Sequence, residues 1–535
     1  MMEKKEEYQV TDYAGKLAKG FLRNPLTSVL GAFLIIMGYL SLNIMPREED
    51  PQIAISGGAV IVAMPGATPR EIENIIINPL ERKFREVKGI EHIYGQAFNN
   101  YGIVSVMYYI GENREDSNLK MYDKVMQNMD ILPKGAMQPL IKPFDIDIDI
   151  PIMTVAFYAK DKKVDDIRLH EIVRHLQQKI NAVENVAKTT LKGDRKAQYN
   201  IEVDMNKLSA YHLSLGQIMK AVESVAVNVP DVKGRTKENT LVIFGVKNAI
   251  ESVVDVQNII VAQYMGSPIY LKDVAKVSEG IDIQNFKTAS ILFKKDRDSK
   301  MSQEKSQVTL TIAKLAGTNA VFVADDVLEL LKEYEAELSK EGVGYVVTRN
   351  YGERANEAVN ELMSHLLITI VIIALMLVFA LGWKESLIVT FTVPAILAVT
   401  LFIAYLSGQT INRITLFAFL LSLGLLVDAA IIVIENIHRH LHAHDVDSKE
   451  MDELLIEATD EIGAPTNVAT LAIILTMVPM AFVGGMMGSF MKPIPLNVPV
   501  ALIASLFVAY IFTPYLSLKL LKKPTHKHHH QKGGK

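Results

Sequence analysis

The chain of 535 residues contains no cysteine and only one tryptophan. The absence of cysteine excludes disulfide bonds, thiolate metal sites and a cysteine nucleophile, and it leaves the cellular compartment undecided. An excess of basic residues is also absent, because the formal net charge is −4. Nucleic-acid-binding proteins carry basic faces, so the sequence gives no reason to expect nucleic acid as a partner.

The sequence also lacks the short motifs of nucleotide-dependent machines and common hydrolases. It has no phosphate-binding P-loop, no glycine-rich dinucleotide fingerprint and no serine-hydrolase elbow. We therefore predict no cofactor and no enzyme activity. A process of this chain that needs energy would have to draw it from another source, such as an ion gradient.

What the sequence does contain is a set of long apolar runs beside an ordinary share of charge. Hydrophobic residues make up 49% of the chain and charged residues 22%, which indicates a membrane part and a soluble part. A helix that spans a bilayer needs about 20 apolar residues. Six runs near this length predict transmembrane helices: Leu26–Met45, Leu366–Leu381, Leu387–Leu406, Ile414–Ile437, Ala464–Val483 and Leu496–Leu518.

Two of these runs need comment. A cleavable signal peptide is the alternative interpretation of the first run. Its apolar core is too long for a signal peptide. Charged residues between Arg47 and Asp50 also occupy the place where small residues would mark a cleavage site. The second run is short unless Met363 and His365 join it, so its start stays open. We predict an uncleaved first helix.

The positions of basic residues predict the orientation in the membrane. They lie before the first run and after the last: Lys16, Lys19, Arg23, Lys519, Lys522 and Lys523. Both termini are therefore expected in the cytoplasm. The predicted division is a cytoplasmic segment 1–25, a helix 26–45, an exported domain 46–362, five helices within 363–521 and a cytoplasmic His/Lys-rich tail 522–535.

The exported segment has the pattern of mixed α/β structure. It begins with a strand at Ile53–Met64 and a helix whose start at Thr68 is marked by Pro69 and Glu71, a capping signature. The order strand, helix, strand, strand then recurs and indicates an internal repeat. The second unit comprises Ile152–Tyr158, Asp165–Ala182, Val186–Leu191 and Gln198–Val203. A further strand–helix–strand runs through Gln307–Ala313, Ala320–Lys340 and Val343–Thr348, with an inserted subdomain before it.

One carboxylate lies in the middle of the fourth apolar run, at Asp428. A charged side chain at the centre of a bilayer costs roughly 2.5–3.5 kcal/mol on insertion scales, so such a residue is a functional candidate by default. The alternative is a structural role, in which Asp428 pairs with a buried partner. No lysine or arginine lies in another run to serve as that partner. Glu435, two turns further on and near the helix end, is more simply structural.

Six short motifs follow one another from one end of the chain to the other: Asn24-Pro-Leu26, Pro46-Arg-Glu-Glu-Asp-Pro51, Met64-Pro-Gly-Ala-Thr68, Gly424-Leu-Leu-Val-Asp428, Pro479-Met-Ala-Phe482 and Phe512-Thr-Pro514. Together they resemble the N-terminal half of a permease of the resistance–nodulation–division (RND) superfamily. The resemblance implies an α-helical bundle of six transmembrane helices with an α+β periplasmic domain. Ferredoxin-like βαβ porter subdomains are then expected at 54–146 and at 147–195 plus 286–350, with a docking subdomain at 196–285.

The resemblance also implies a function. A family member is a multi-pass protein of the bacterial inner membrane that exports small hydrophobic or amphiphilic compounds by proton antiport, and Asp428 would be its proton-relay residue. Export runs through a tripartite efflux system. The implied partners are the lipid bilayer, a periplasmic adaptor and an outer-membrane channel, in a threefold assembly.

Two departures from the family pattern keep alternatives open. Ala429 follows Asp428 where drug exporters usually carry a second acid, which resembles heavy-metal exporters, whereas the exported domain resembles the drug and amphiphile branch. The chain also matches one half of a permease, and the other half supplies a lysine of the relay. We expect either a separately encoded C-terminal half permease or a second copy as the partner. A non-transporting membrane accessory, or a degenerate half-pump, is the alternative of another class.

Some side-chain clusters are weaker candidates for metal sites. Asp145, Asp147 and Asp149 alternate along a predicted strand and are more simply a solvated face. Histidines follow the fourth run at i,i+4 spacing, among them His438 and His442, and a solvated flank is preferred to a metal site. His440 and His444 belong to the same group of histidines. The tail histidines His526 and His528–His530 are either native or an added tag. The loop methionines Met486, Met487 and Met491 could contact a soft metal, but apolar packing is preferred.

Overall fold

A computed structural model describes residues 8–522 except for 54, 161–163, 226–231, 238, 245–249, 282–288, 295–296, 298 and 443–449. Within these residues the chain forms a bundle of long apolar helices. Two β-sheets and a smaller subdomain are inserted between the first and second of these helices.

In the described part of the chain, six helices are long and apolar enough to cross a membrane, as the sequence predicts. We number them as membrane helices one to six: Leu26–Ile44, Tyr351–Ala380, Trp383–Leu406, Arg413–Leu441, Met451–Ala481 and Pro493–Leu520. A short helix Tyr13–Phe21 precedes the first, and another at Gly485–Met491 leads into the sixth.

The membrane helices pack closely because small residues lie where they cross. A Cβ atom at Gly38 of helix one would lie only 2.3 Å from the Cβ atom of Ala398 in helix three, so no larger residue fits there. Helices four and six pack along much of their length, and Ala430, Ala501 and Ser505 are buried on these helices. Helix four is thereby held mainly by helix six.

The first sheet comprises the strands Gly57–Ala63, Ile90–Phe98, Tyr101–Tyr108 and Leu140–Pro143. Across the sheet their order is second, third, first, fourth, and all neighbours are antiparallel. Alternate residues such as Val60 and Val104 are buried against Leu80 and Phe84 of the helix Asn78–Phe84. The helix Arg114–Gln127 adds to the same core.

The second sheet repeats this arrangement. Its strands Met153–Ala159, Val186–Lys192, Lys305–Lys314 and Val343–Asn350 again lie in the order second, third, first, fourth. A two-residue strand Ser290–Ile291 also pairs with the third strand. Three helices pack against this sheet: Asp166–Ile180, Ala320–Glu333 and Glu335–Lys340.

One strand of the predicted repeat is confirmed as a strand, but its predicted place in the repeat is wrong. The strand predicted at Gln198–Val203, observed at Ala197–Val203, does not join the second sheet but pairs with Ala275–Ile281. The chain does turn at Gly193, where φ is +76°. The local turn signal is therefore real, but the third strand of the repeat comes only after the insertion, at Lys305–Lys314.

The insertion forms a subdomain with its own apolar core, which includes Leu208, Ile218 and Leu271. Its helices are Met205–Ala210, Leu215–Val225, Val253–Gln257 and Leu271–Val274. Its further strands are Val232–Arg235, Leu241–Phe244, Ile260–Tyr264 and Ser267–Tyr270. The last four residues of the predicted range 196–285 lie outside the described residues.

Membrane helix two begins fifteen residues before the start predicted at Leu366, at Tyr351. Asn350 ends the last strand of the second sheet, and its side chain caps the helix by accepting a hydrogen bond from the Glu353 backbone N–H at 3.1 Å. The apolar run therefore marks only the later part of this helix. Sheet and membrane helix are joined without an intervening loop.

The predicted strand that carries Asp145, Asp147 and Asp149 is also wrong. The segment forms a short helix, Ile146–Asp149, for which Asp145 is the N-cap residue. Asp145 pairs with Arg114 at 2.8 Å, and Asp149 accepts a hydrogen bond from Lys188 at 3.1 Å. Asp145 and Asp149 therefore already have protein cations as partners.

Candidate functional site

Membrane helix four carries the candidate site, and its position is fixed at its first turn. The side-chain oxygen of Asn412 accepts hydrogen bonds from the backbone N–H groups of Ile414 and Thr415, both at 3.0 Å. The Thr415 hydroxyl accepts in return from the Asn412 N–H at 2.7 Å, which completes a capping box. Asp428 lies midway along the helix that begins here.

The side chain of Asp428 lies on the outside of the bundle and is not buried among the six helices. Its sequence neighbours Val427 and Ala429 are buried, whereas Asp428 is exposed. The exposed positions continue one and two turns away, at Gly424 and Glu435. Residues spaced by four and seven share a helix face, so Asp428 belongs to a continuous uncovered stripe.

We call this stripe the Asp428 face. It comprises Phe417, Leu421, Gly424, Asp428, Ile432 and Glu435. A Cβ atom added at Gly424 would meet nothing within 4 Å, so the face is open at that point. Asp428 has no hydrogen bond or ion pair with any described residue, and no lysine or arginine of the described bundle reaches it.

A carboxylate in this position has two stable arrangements. In contact with lipid it is stable only when it is protonated, because a charge in hydrocarbon is costly. As an anion it needs a cationic or polar partner that covers the face. Switching between these two arrangements is what proton-coupled motion requires of a single residue.

The histidines at the C-terminal end of helix four join this helix to its neighbours. His438 lies 3.2 Å from a carboxylate oxygen of Glu385 on helix three, and its ring contacts that of His442 at a tilt of 34°, with centroids 4.2 Å apart. His440 lies 2.7 Å from Glu461 on helix five. Among the described residues, no group of three or more side chains has the geometry of a metal site.

The remaining metal candidates of the sequence are placed as follows. Met486 and Met487 lie on the short helix Gly485–Met491 and are exposed. His444 and the tail histidines lie outside the described residues. The structure thus brings His438 and His442 together but does not place the methionines beside them.

Sequence reasoning missed a buried ion pair that connects the bundle to the second sheet. Lys314, at the end of a sheet strand, donates to Glu48 at 2.5 Å, and both side chains are almost fully buried. The Glu48 backbone N–H donates to the Ile411 carbonyl at 2.9 Å, just before helix four. The Ala320 N–H donates to the Arg47 carbonyl at 3.0 Å. The segment after helix one therefore joins helix four to the sheet.

A second missed contact ties the N-terminal segment to helix five. The buried carboxylate of Asp460 accepts hydrogen bonds from the Thr11 and Asp12 backbone N–H groups, at 2.9 and 2.8 Å, and from the Tyr8 hydroxyl at 3.0 Å. Burial and this hydrogen bond raise the pKa of Tyr8 to about 12. The partners are more than 440 residues apart in the sequence. No local sequence pattern therefore predicts this role of Asp460.

Comparison with known families identifies a matching family model. A family model described as the AcrB/AcrD/AcrF family matches residues 17–534. The match includes all six membrane helices, both sheets and the inserted subdomain.

Proposed function

The chain belongs to the AcrB/AcrD/AcrF family of RND permeases, and from that premise we propose that it is the proton-driven subunit of an exporter for small hydrophobic or amphiphilic compounds. The family consists of efflux-type transporters of the inner membrane, not of enzymes. Its members work as oligomers with an adaptor and an outer-membrane channel. Proton coupling, the substrate class and the half-size arrangement are the proposed part.

The observation that carries the proposal is the open Asp428 face. Asp428 is a carboxylate at mid-helix without a partner in the described chain. Protonation removes its charge and lets the face contact apolar surroundings, whereas ionisation favours a cationic partner. Helix four is linked through Ile411 and Glu48 to Lys314 of the second sheet. A movement of helix four would therefore be transmitted to the second sheet.

We interpret the two sheets as ferredoxin-like porter subdomains on the periplasmic side. The support is their common strand order with helices packed against the strands. The insertion that begins at Ala197 would be the docking subdomain. Basic residues such as Lys16 and Lys19, on the helix before membrane helix one, favour cytoplasmic termini.

Replacing Asp428 by asparagine tests the proposal. The amide keeps the shape but cannot exchange a proton, so Asp428→Asn is expected to reduce export to the level of cells without the chain. Tolerance to dyes and detergents is measured in cells that lack their own pumps and produce the chain with its partner proteins. Glu435→Gln, on the same face, is the matched control and is expected to keep export. Unchanged tolerance in Asp428→Asn would refute the proton role.

Heavy-metal export is the second candidate, favoured by Ala429 and by the adjacent rings of His438 and His442. The same cells are challenged with copper, silver, zinc and cobalt. A rise in tolerance to these metals, with none to dyes and detergents, would overturn the proposed substrate class. No rise in either set, with the partner proteins present, would favour a non-transporting accessory.

A further inference from the structure

Two histidines, His438 and His442, lie on one face at the C-terminal end of membrane helix four. They are spaced by four residues, and their rings are in contact, with centroids 4.2 Å apart. Helix four begins beside the connection to the second sheet, so this pair lies at the other end of the helix, away from the sheets. His442 is exposed and His438 is partly exposed, so an ion from solution can reach both rings.

The two rings have the same pattern of hydrogen bonds. Nδ1 of His438 lies 3.2 Å from a carboxylate oxygen of Glu385, and Nδ1 of His442 lies 2.9 Å from the backbone carbonyl oxygen of His438. Ionised carboxylate and carbonyl oxygens only accept hydrogen bonds, so Nδ1 carries the proton in each neutral ring. The other nitrogen, Nε2, then presents a lone pair. Within the described residues neither Nε2 atom has a hydrogen-bond partner.

This pattern is typical of histidines that bind a metal ion. A metal-ligating histidine usually donates its other ring N–H to a carboxylate or a backbone carbonyl, which fixes the tautomer and orients the ring. His438 has the first kind of acceptor and His442 has the second. Metal–nitrogen bonds are about 2.0–2.1 Å long, so two imidazoles on one ion have their donor atoms about 3 Å apart. Rings in contact allow this spacing.

The histidine between them is arranged differently. Nε2 of His440 lies 2.7 Å from a carboxylate oxygen of Glu461 on helix five, so this nitrogen already has a protein partner. His440 is two residues away from His438 and from His442 and therefore lies on another face of the helix. The protein thus offers two ligands here, which agrees with the finding that no described group of three or more side chains has the geometry of a metal site.

We infer that His438 and His442 form a two-histidine site for a divalent transition-metal ion, with water in the remaining coordination positions. Imidazole nitrogen suits copper, nickel and zinc, whereas magnesium and calcium prefer oxygen ligands. A cation is also favoured at the C-terminal end of a helix, where backbone carbonyl groups point outward. The i,i+4 spacing alone favoured a solvated flank, and the orientation of both rings now favours the metal site. The inference concerns a resident ion and does not depend on the proposed export function.

Binding of Cu²⁺ to the purified full chain tests this inference. The tail histidines would bind metal themselves, so the reference chain has His526 and His528–His530 changed to alanine. The affinity is measured by competition with a coloured chelator, and electron paramagnetic resonance shows how many imidazole nitrogens are coupled to the copper. We expect about one tightly bound ion per chain, coupled to two imidazoles, and no displacement by excess Mg²⁺ or Ca²⁺.

Substitutions of the two ligands are compared with those of their histidine neighbours. His438→Gln and His442→Gln are each expected to weaken Cu²⁺ binding by roughly a hundredfold, because a chelate becomes a single ligand, and to leave one coupled imidazole. His442 is exposed, so His442→Gln remains informative even if His438→Gln disturbs the helix contact with Glu385. His440→Gln and His444→Gln are the matched controls and should bind like the reference chain.

Glu385 is a positioning residue in this arrangement, because it acts on the metal only through His438. Glu385→Ala is expected to weaken binding roughly tenfold while both imidazoles stay coupled to the copper. Glu385→Gln keeps an accepting oxygen and should recover most of the affinity. A copper spectrum with fewer than two imidazoles in the reference chain, or an unchanged affinity in His442→Gln, would overturn the inference. An equal loss of affinity in His444→Gln would overturn the assignment of the ligands.

Discussion

At the scale of single residues, His170 is a buried titratable group outside the membrane helices. It is 6% exposed on the helix Asp166–Ile180, and its Nδ1 atom lies 3.4 Å from Asp194 without a hydrogen bond. Burial lowers the pKa of His170, and the attraction of Asp194 only partly opposes this effect. The neutral ring is therefore favoured in the folded state.

The lowered pKa of His170 predicts the direction of a pH dependence. As the pH falls through about 6.5, the unfolded chain takes up a proton that the folded chain binds less readily, so stability decreases towards acid and is unaffected above neutral pH. His170→Phe is expected to flatten this dependence. Hydrogen exchange of the helix amides in the full chain, between pH 7 and 5, measures it. His175 is exposed on the same helix, and His175→Phe is the control. An equal flattening of the pH dependence in His175→Phe would contradict the assignment of the effect to His170.

Residues differ in how far the sequence alone predicts them. The capping box of Thr68 and Glu71 is confirmed by their reciprocal hydrogen bonds, because its partners lie within three residues. The location of Asp428 within a membrane helix is confirmed too, since it depends on the helix that contains it. Its exposure was not predictable, because this depends on which faces the other five helices cover.

At the scale of elements, the segment from Pro46 to Asp50 is the link between bundle and sheet. Lys314→Met would leave the Glu48 carboxylate buried without its cation, which typically costs about 3–5 kcal/mol. Thermal unfolding of the purified full chain is expected to show a lower midpoint. Combining Glu48→Gln with Lys314→Met removes both charges and is expected to recover most of the loss.

An exposed ion pair provides the control for that experiment. Arg168 pairs with Glu171 and Glu341 on the surface of the second sheet domain. Solvent screens such pairs, so Arg168→Met is expected to change the midpoint little. The midpoint of thermal unfolding should be lower in Lys314→Met than in Arg168→Met. If it is not, the buried pair Lys314–Glu48 does not stabilise the connection between the bundle and the second sheet.

Elements were predicted well where their signal is local. The six membrane helices follow from apolar length, but the beginnings of helices two and five are missed, because their first turns are polar and pack against protein. The pairing of Ala197–Val203 was missed for another reason. Strand partners are set by contacts far apart in the sequence, and an insertion separates the second and third strands of the repeat.

At the scale of the whole molecule, the bundle leaves the Asp428 face without a cover in the described chain. A carboxylate flanked by Gly424 on an open helix face suits close contact with a second helical bundle. A C-terminal half permease or a second copy of the chain would meet this need. A second copy would bring two Asp428 residues together, which favours one of them remaining protonated. We therefore propose a C-terminal half that contributes a cation as the partner, in a threefold assembly with an adaptor.

The absence of cysteine makes this prediction directly testable, since a single introduced cysteine reports one position. Gly424→Cys fits the open space on the Asp428 face, where an added Cβ meets no atom within 4 Å. After gentle oxidation or a short bifunctional reagent in native membranes, we expect a cross-link to a second, different polypeptide. Gly20→Cys, on the helix Tyr13–Phe21 with equally open space and no positive φ, is expected to give no such product. Native mass measurement in mild detergent should give a species well above the 59.5 kDa of one chain. A cross-link only between identical chains would favour the second copy, and a lone chain that transports after reconstitution would contradict both arrangements.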